Sequence, residues 1–196
     1  MSKGAQTRAA ILKKATAMAG VHGLEGMSIG RLATVTGMSK SGLFGHFGSK
    51  EALQRAVLDD AIAELTLRVL DPAQQEARGE ARLRALFRGW LEWGDSEEHL
   101  GGCPIVSASI EFANRPGELH DFLADYHELW LDRIRRMCQK AVSEGNFHEG
   151  LDTRQFASEF HSIGLGFNLA RYLMKDDNAL QYAYTALDRL IRSVKN

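Results

Sequence analysis

The chain has 196 residues, of which 44% are hydrophobic and 25% are charged, values typical of a globular protein with one or two domains. Two cysteines are too few for a disulfide framework. No apolar run is long enough to span a bilayer or to resemble a signal peptide. We therefore expect a cytoplasmic protein.

The net charge of −1 conceals an uneven distribution along the chain. The first fifty residues contain seven basic residues and one acidic residue, Glu25, whereas residues 51–196 contain 17 basic and 24 acidic residues. A head with a charge of +6 on a body with a charge of −7 favours contact between the head and a polyanion. A solvated, unevenly charged surface that binds nothing is the alternative.

The predicted elements of the head are helices. Apolar residues at three- and four-residue spacing predict a first helix over residues 5–22. Ser28, Ser39 and Ser49 are each positioned to cap a following helix, because a serine hydroxyl accepts a hydrogen bond from a backbone N–H of the first turn. Asp71–Pro72 is predicted to end the fourth helix, since the residue before a proline disfavours helical geometry.

The body continues in the same pattern. Its predicted helices cover residues 79–93, a short segment through Ala113, residues 117–144, Asp152 to about Met174, and a last segment after Asp177. No strand-like alternation and no internal repeat is present, so the predicted fold is all-α. We predict two domains, a basic head over residues 1–50 and a helical body over residues 51–196.

The stretch around Gly37 has the spacing of a helix-turn-helix. Ala33 is small where the two helices cross, Gly37 tolerates positive φ in the turn, and Leu43 anchors the second helix. In such a motif, here about residues 28–47, the N-terminal part of the second helix enters the major groove. That part contains Ser39, Lys40, Ser41, Gly42, Phe44 and Gly45. Helical hairpins that bind nothing share this spacing, but the basic head favours duplex DNA.

Residues 7–53 resemble the DNA-binding domain of the TetR family of bacterial transcriptional regulators. The matching segments are TRAAILKKA at 7–15, MSIGRLATVTGMSKSGLFGHF at 27–47 and GSKEAL at 48–53. The resemblance implies DNA contacts at Ser28, Lys40, Ser41 and Lys50. Phe44 stands where the family usually has tyrosine, and Gly45 and His46 stand where a histidine and an aromatic residue are common. The base-reading set, and with it the operator sequence, is therefore not predicted.

The body resembles the ligand-binding and dimerisation domain of the same family, including SASIEFANRPG at 107–117. This implies a homodimeric regulator, most often a repressor, that a small, mostly apolar effector releases from its operator. Aromatic residues at helical spacing are candidates to line the effector pocket: Trp90, Phe122, Tyr126, Trp130 and Phe167. A seam in the last two helices predicts a dimer interface of Phe160, Phe167, Leu180, Tyr184, Leu187 and Ile191. The alternative is that the pocket candidates and the interface candidates simply form the hydrophobic core of the single chain.

Other functions stay open on the sequence alone. Cys103 precedes Pro104 at a predicted helix start, where a thiol can be reactive, so a redox-sensing regulator is the alternative to ligand release. An enzyme is disfavoured because no H-E-x-x-H, C-x-x-C or G-x-S-x-G motif occurs. His120 and His127 have no third ligand at a recognised spacing, so we expect no metal and no cofactor. A helical protein that binds another anionic partner is the remaining class.

Overall fold

The structure is a computed structural model that describes residues 3–99 and 101–195. Within those residues all regular structure is helical, which confirms the predicted all-α fold. The α-helices are α1 (Lys3–His22), α2 (Ile29–Thr36), α3 (Lys40–Phe47), α4 (Lys50–Leu65), α5 (Asp71–Gln75), α6 (Glu80–Gly94), α7 (Pro104–Phe112), α8 (Glu118–Ser143), α9 (Thr153–Asn168) and α10 (Ala179–Ser193). Two π turns, Thr66–Leu70 and Leu169–Leu173, continue α4 and α9. None of the helices described is both long and apolar enough to cross a membrane.

The helix caps of the head follow the sequence prediction. Ser28, Ser39 and Ser49 each accept a hydrogen bond from the backbone N–H three residues later, at 3.2, 3.0 and 3.0 Å. Gly37 has a φ of 70° and ends α2 in the left-handed conformation that a glycine adopts without a steric penalty. These caps fix the start of α3 and the sharp turn before it.

The predicted end of the fourth helix at Asp71–Pro72 is wrong. Helical backbone continues from α4 through the first π turn into α5, whose first turn contains Pro72. In the π turn the Asp71 amide donates to the carbonyl of Thr66, five residues earlier. The proline therefore begins a new hydrogen-bonding register, where its missing N–H costs little.

The chain packs into two compact units. The first unit consists of the residues up to Glu64 together with Ser96–Leu123, and the second consists of Leu65–Asp95 and the residues from Ala124 onward. This division differs from the predicted boundary at residue 50. The difference arises because α4 and α7, which belong to the body in sequence, pack with the head.

The core of the first unit is built on the apolar face of α1. The apolar residues at three- and four-residue spacing along it are all buried: Ile11, Leu12, Ala15, Met18 and Ala19. Gly101 approaches α1 so closely that a Cβ on it would lie 1.7 Å from the carbonyl oxygen of Gly20. The glycine-rich break in the sequence is thus a place where only a residue without a side chain fits.

The core of the second unit contains most of the predicted dimer residues. Phe160, Phe167, Leu187 and Ile191 are at most 5% exposed within the single chain. Phe160 packs edge-on against Phe87, with ring centroids 5.0 Å apart. These four side chains are therefore already covered within the single chain, and an interface formed by them stays a prediction. Leu180 and Tyr184 are half-buried.

Candidate DNA-binding surface and ligand site

The α3 helix presents a polar, mostly small-residue surface to solvent. Ser39, Lys40, Ser41 and Gly45 are exposed, and the Phe44 side chain is 53% exposed. Gly42 and His46 are half-buried. The hydroxyls of Ser39 and Ser41 lie 3.1 Å apart, next to the free N–H groups at the helix start. Such a helix start suits phosphate oxygens, since its N–H groups point outward and carry partial positive charge.

The opposite face of α3 anchors the helix in the first unit. Leu43 is 1% exposed, as the helix-turn-helix spacing predicts, and Phe47 is buried beside it. The Arg8 guanidinium from α1 lies over the Phe47 ring, 5.1 Å from its centroid. Lys14, also on α1, donates to the Val35 carbonyl at 3.0 Å, close to the end of α2. The two helices of the motif are therefore both braced by α1.

Lys50 is the one predicted DNA-binding residue that has an acidic partner among the contacts described. Its Nζ lies 2.7 Å from Oε1 of Glu25. Arg115 approaches the other oxygen of the same carboxylate at 3.7 Å. The hydrogen bond from Lys50 holds the pKa of Glu25 below its ordinary value, so this carboxylate stays ionised at neutral pH. A phosphate that recruits Lys50 has to replace this pair.

The second unit contains a group of rings that we call the aromatic cluster: Trp90, Tyr126, His127, Trp130 and His161. Trp90 stacks on His161 at a centroid distance of 5.8 Å and meets Trp130 at 5.4 Å in an edge contact. His161 is also 5.1 Å from His127, which contacts Tyr126 at 6.1 Å. Three of the five residues predicted to line the effector pocket are thus brought together, along with two histidines.

Phe122 does not belong to this cluster. It lies in the first unit, where the Arg55 guanidinium covers its ring at 3.6 Å. Arg55 also lines a cleft of about 540 Å³ whose walls include Glu25, Glu51 and Arg115. Charged walls suit an apolar effector poorly, because the charges would lose water without gaining a partner. The remaining predicted pocket residue, Phe167, is buried in the core of the second unit.

Two regions of the chain match known sequence families. Residues 11–57 match the bacterial regulatory proteins of the tetR family, and residues 79–187 match the tetracyclin repressor-like C-terminal domain. The chain belongs to the TetR family. It is accordingly a DNA-binding transcriptional regulator and not an enzyme, as the resemblance of its helix-turn-helix implies.

Relatives of this TetR-family chain are similar over nearly their whole length. The HTH-type transcriptional repressor ComR of Escherichia coli (strain K12) is 25% identical over 184 residues, which cover 92% of this chain and 87% of ComR. A TetR transcriptional regulator from Chloroflexus aurantiacus J-10-FL has a similar fold, with a TM-score of 0.87, 24% identity and coverage of 98% and 96% of the two chains. AibR, solved in complex with isovaleryl coenzyme A and operator DNA, has a TM-score of 0.74 at 23% identity, with coverage of 96% and 97%.

The redox alternative is not favoured in this TetR-family regulator. Cys103 is 5% exposed and packs in the core of the first unit, so an oxidant has little access to its sulfur. The second cysteine, Cys138, is fully buried, and burial raises the pKa of its thiol to about 12. Neither thiol is therefore exposed in the way that a redox sensor requires. In the part of the chain described, no group of three His, Cys, Asp or Glu residues is arranged to hold a metal ion.

Sequence reasoning missed the residues that hold the turn between α1 and α2. The Glu111 carboxylate on α7 accepts hydrogen bonds from the N–H groups of Leu24 and Glu25, at 2.8 and 2.9 Å. Gln54 on α4 donates to the Leu24 carbonyl at 2.9 Å. Glu25 carried one sequence signal, because it is the single acid in the first fifty residues. Nothing in the sequence marked Glu111 or Gln54, which lie far from the turn along the chain.

Proposed function

We propose that this regulator binds operator DNA as a homodimer, inserts α3 into the major groove and represses transcription until a small molecule binds the second unit. The observation that carries the proposal is the exposed, capped start of α3, where Lys40, Ser41 and Gly45 combine positive charge, a hydroxyl and close backbone access. Small residues allow the helix to approach base edges, and hydroxyls and ammonium groups bind phosphates. A protein bound to chromosomal DNA acts in the cytoplasm.

Each predicted DNA-binding residue has a role that its geometry permits. Ser28, Ser39 and Lys50 surround the motif at helix starts, which suits contacts with phosphate. Lys40, Ser41 and His46 have side chains with donors that suit base edges or the adjacent backbone. Gly42 and Gly45 keep α3 narrow, and Phe44 offers an apolar surface for a thymine methyl group.

DNA binding is tested with duplex DNA from the region upstream of the gene, followed by fluorescence anisotropy. Because each phosphate contact releases counterions, affinity should fall by about 10³-fold or more between about 50 and 200 mM salt. Lys40→Ala should weaken binding and change the preferred sequence, whereas Lys140→Ala, an exposed lysine of α8, should leave both unchanged. Affinity that does not depend on salt would refute the proposal.

A homodimer is supported by apolar residues left exposed at the end of the second unit. Leu173, Met174 and Tyr182 are 76%, 71% and 59% exposed, and Leu169 is 43% exposed. Exposed positions 162, 166, 169 and 173 follow a helical stripe along α9 and its π turn. The stripe begins with Ser162 and Gly166, whose small size allows close helix approach in a two-fold contact. We assign the dimer interface to this surface in place of the buried seam of α10.

Release by a ligand is supported by the aromatic cluster. A packed group of large rings with polar atoms among them is typical of the lining of a small-molecule site. AibR was solved with an acyl-coenzyme A and operator DNA together, and ComR is named a repressor. A ligand releases DNA only if it binds the DNA-incompetent conformation more tightly. Hence a true effector should lower operator affinity at a concentration that also quenches the fluorescence of Trp90 or Trp130.

A further inference from the structure

Two polar atoms inside the aromatic cluster lack hydrogen-bond partners. Nε1 of Trp130 and Nε2 of His161 are both buried, and neither has a partner among the residues described. The Trp130 side chain as a whole is 3% exposed. An indole N–H that is buried without an acceptor costs free energy, and native proteins rarely leave one unsatisfied. The molecule that satisfies it must present an acceptor, since an indole nitrogen only donates.

The rings around these atoms form a packed frame. Trp90 lies against both residues, stacked on His161 and edge-on to Trp130. Trp90 also packs closely against the backbone at Gly164, because a Cβ there would come within 2.1 Å of the indole ring. The two unsatisfied nitrogens therefore belong to rings that touch one central indole. A flat apolar molecule placed here gains ring contacts in addition to a hydrogen bond.

The frame is electrically neutral. Burial, reinforced by the neighbouring His127, lowers the pKa of His161 to about 4, and burial also lowers the pKa of His127. Both imidazoles are therefore uncharged at neutral pH, and a neutral His161 that carries its proton on Nε2 acts as a second donor. A carboxylate buried between two neutral donors has no counter-charge, so its desolvation is poorly compensated. A carbonyl oxygen has two lone pairs and no charge to desolvate.

We propose that the effector is a neutral, flat, apolar carbonyl compound whose oxygen accepts hydrogen bonds from Trp130 Nε1 and His161 Nε2. This inference rests on the proposed function, since it names the ligand class of the same site. The apolar part of the molecule lies against Trp90, and the oxygen fixes its orientation. Trp130 and His161 are then the residues that select a carbonyl compound over a hydrocarbon of the same size.

The experiment compares three one-ring probes: acetophenone, cumene, which has the same size without the oxygen, and benzoate, which is charged. Binding is followed in ¹H–¹⁵N spectra of the three tryptophan indoles, in which Trp90→Phe and Trp93→Phe identify two signals and leave the third to Trp130. Acetophenone should bind about tenfold or more tightly than cumene and should shift the Trp130 indole N–H, because a buried donor gains an acceptor. Equal binding of acetophenone and cumene, an unmoved Trp130 signal, or a preference for benzoate would each overturn the proposal.

Matched variants test the assignment to residues. Trp130→Phe keeps an aromatic ring but removes the donor, so acetophenone should lose its advantage over cumene. Trp93→Phe is the control, because Trp93 is equally buried but lies outside the aromatic cluster. If Trp130→Phe does not fold, the shift that acetophenone causes in the Trp130 indole signal of the wild type still tests the proposal. Discrimination that survives in a folded Trp130→Phe protein would place the oxygen elsewhere and overturn the inference.

A failure of the proposed ligand class can be distinguished from a failure of the proposed function. Salt-dependent DNA binding is measured without any probe, so its absence counts against the regulator itself. If DNA binding is present and the probes fail to discriminate as described, only the ligand class is wrong. A probe that binds as expected should also lower operator affinity in the wild type and not in Trp130→Phe.

Discussion

At the scale of single residues, Glu25 controls the charge of the proposed DNA-binding surface. It is the single acid in the first fifty residues, and it binds Lys50 at 2.7 Å and Arg115 at 3.7 Å. In the free protein Lys50 therefore faces a carboxylate in place of a phosphate. In the proposed DNA complex, Glu25 and a phosphate therefore compete for the same ammonium group.

Replacing Glu25 should strengthen DNA binding. In Glu25→Gln the Lys50 ammonium is released, and we expect operator affinity at about 100 mM salt to rise about two- to fivefold, a range set by the modest strength of exposed ion pairs. The slope of log affinity against log salt should stay unchanged, since Lys50 is proposed to contact phosphate in both proteins and only its competitor is removed. Anisotropy titrations at several salt concentrations measure both quantities.

Glu51→Gln is the matched control, because it removes the same charge from the residue next to Lys50 in sequence. Glu51 is exposed in the first turn of α4 and is not the carboxylate that binds Lys50. We expect operator affinity to rise less in Glu51→Gln than in Glu25→Gln. Equal gains in the two variants would show that total charge, not the Glu25–Lys50 pair, limits binding.

His161 should make the stability of the protein depend on pH. Its pKa is about 4 in the folded chain against an ordinary value of 6.5, so the unfolded chain binds a proton between these values and the folded chain does not. The contribution to folding is complete above about pH 6.5 and is lost as pH falls towards 4. Between pH 7 and 5 the wild type should lose about 2 kcal/mol more of its unfolding free energy than His161→Phe.

Urea unfolding at both pH values measures this difference. His22→Phe is the control, because it also replaces an imidazole with a phenyl ring, but at an exposed position at the end of α1. A His161→Phe protein that loses as much stability as the wild type would mean that His161 is already charged in the folded chain.

At the scale of elements, α9 is held against α6 through a glycine. A Cβ at Gly164 would lie 2.1 Å from the Trp90 ring, whereas a Cβ at Gly45 on α3 would meet nothing within 4 Å. Gly164→Ala should therefore destabilise the protein by about 1–3 kcal/mol despite the better helix propensity of alanine. Gly45→Ala should stabilise it by about 0.5–1 kcal/mol, since propensity acts there without a clash. Thermal unfolding of both variants measures these two changes in stability. A Gly164→Ala protein that is more stable than the wild type would contradict the close packing of Trp90 on Gly164.

At the scale of the whole molecule, the exposed apolar residues at the end of α9 predict how two copies associate. Leu173→Glu puts a charge at the proposed two-fold contact, twice per dimer, and should give monomers in sedimentation at micromolar concentration. Operator affinity should fall about 10²-fold or more, because two heads no longer bind together. Leu67→Glu is the matched control, since Leu67 is 68% exposed in the other π turn of the same unit.

Helicity should be unchanged in both variants, because both side chains are exposed within the single chain. This separates the dimer test from unfolding, which Leu187→Asp cannot do now that Leu187 is known to lie in the core at 3% exposure. A Leu173→Glu protein that remains dimeric would place the interface on another face.

The sequence by itself determined the local structure and the DNA-binding head. The caps at Ser28, Ser39 and Ser49 and the turn at Gly37 depend on neighbours within four residues, so short-range chemistry reveals them. The segments of the head that resemble the TetR family are short stretches of sequence, so they too can be recognised without knowing the tertiary structure. Periodicity also identified which side of each helix is apolar.

Only the tertiary structure decided what each apolar or charged side chain meets. The seam of α10 has the period of an interface, yet Leu187 and Ile191 lie in the core of the chain, because periodicity gives a buried face and not the identity of what buries it. Glu25 and Lys50 are 25 residues apart, and Trp90 and His161 are 71 apart. Contacts over such distances depend on how helices pack, which no local pattern encodes.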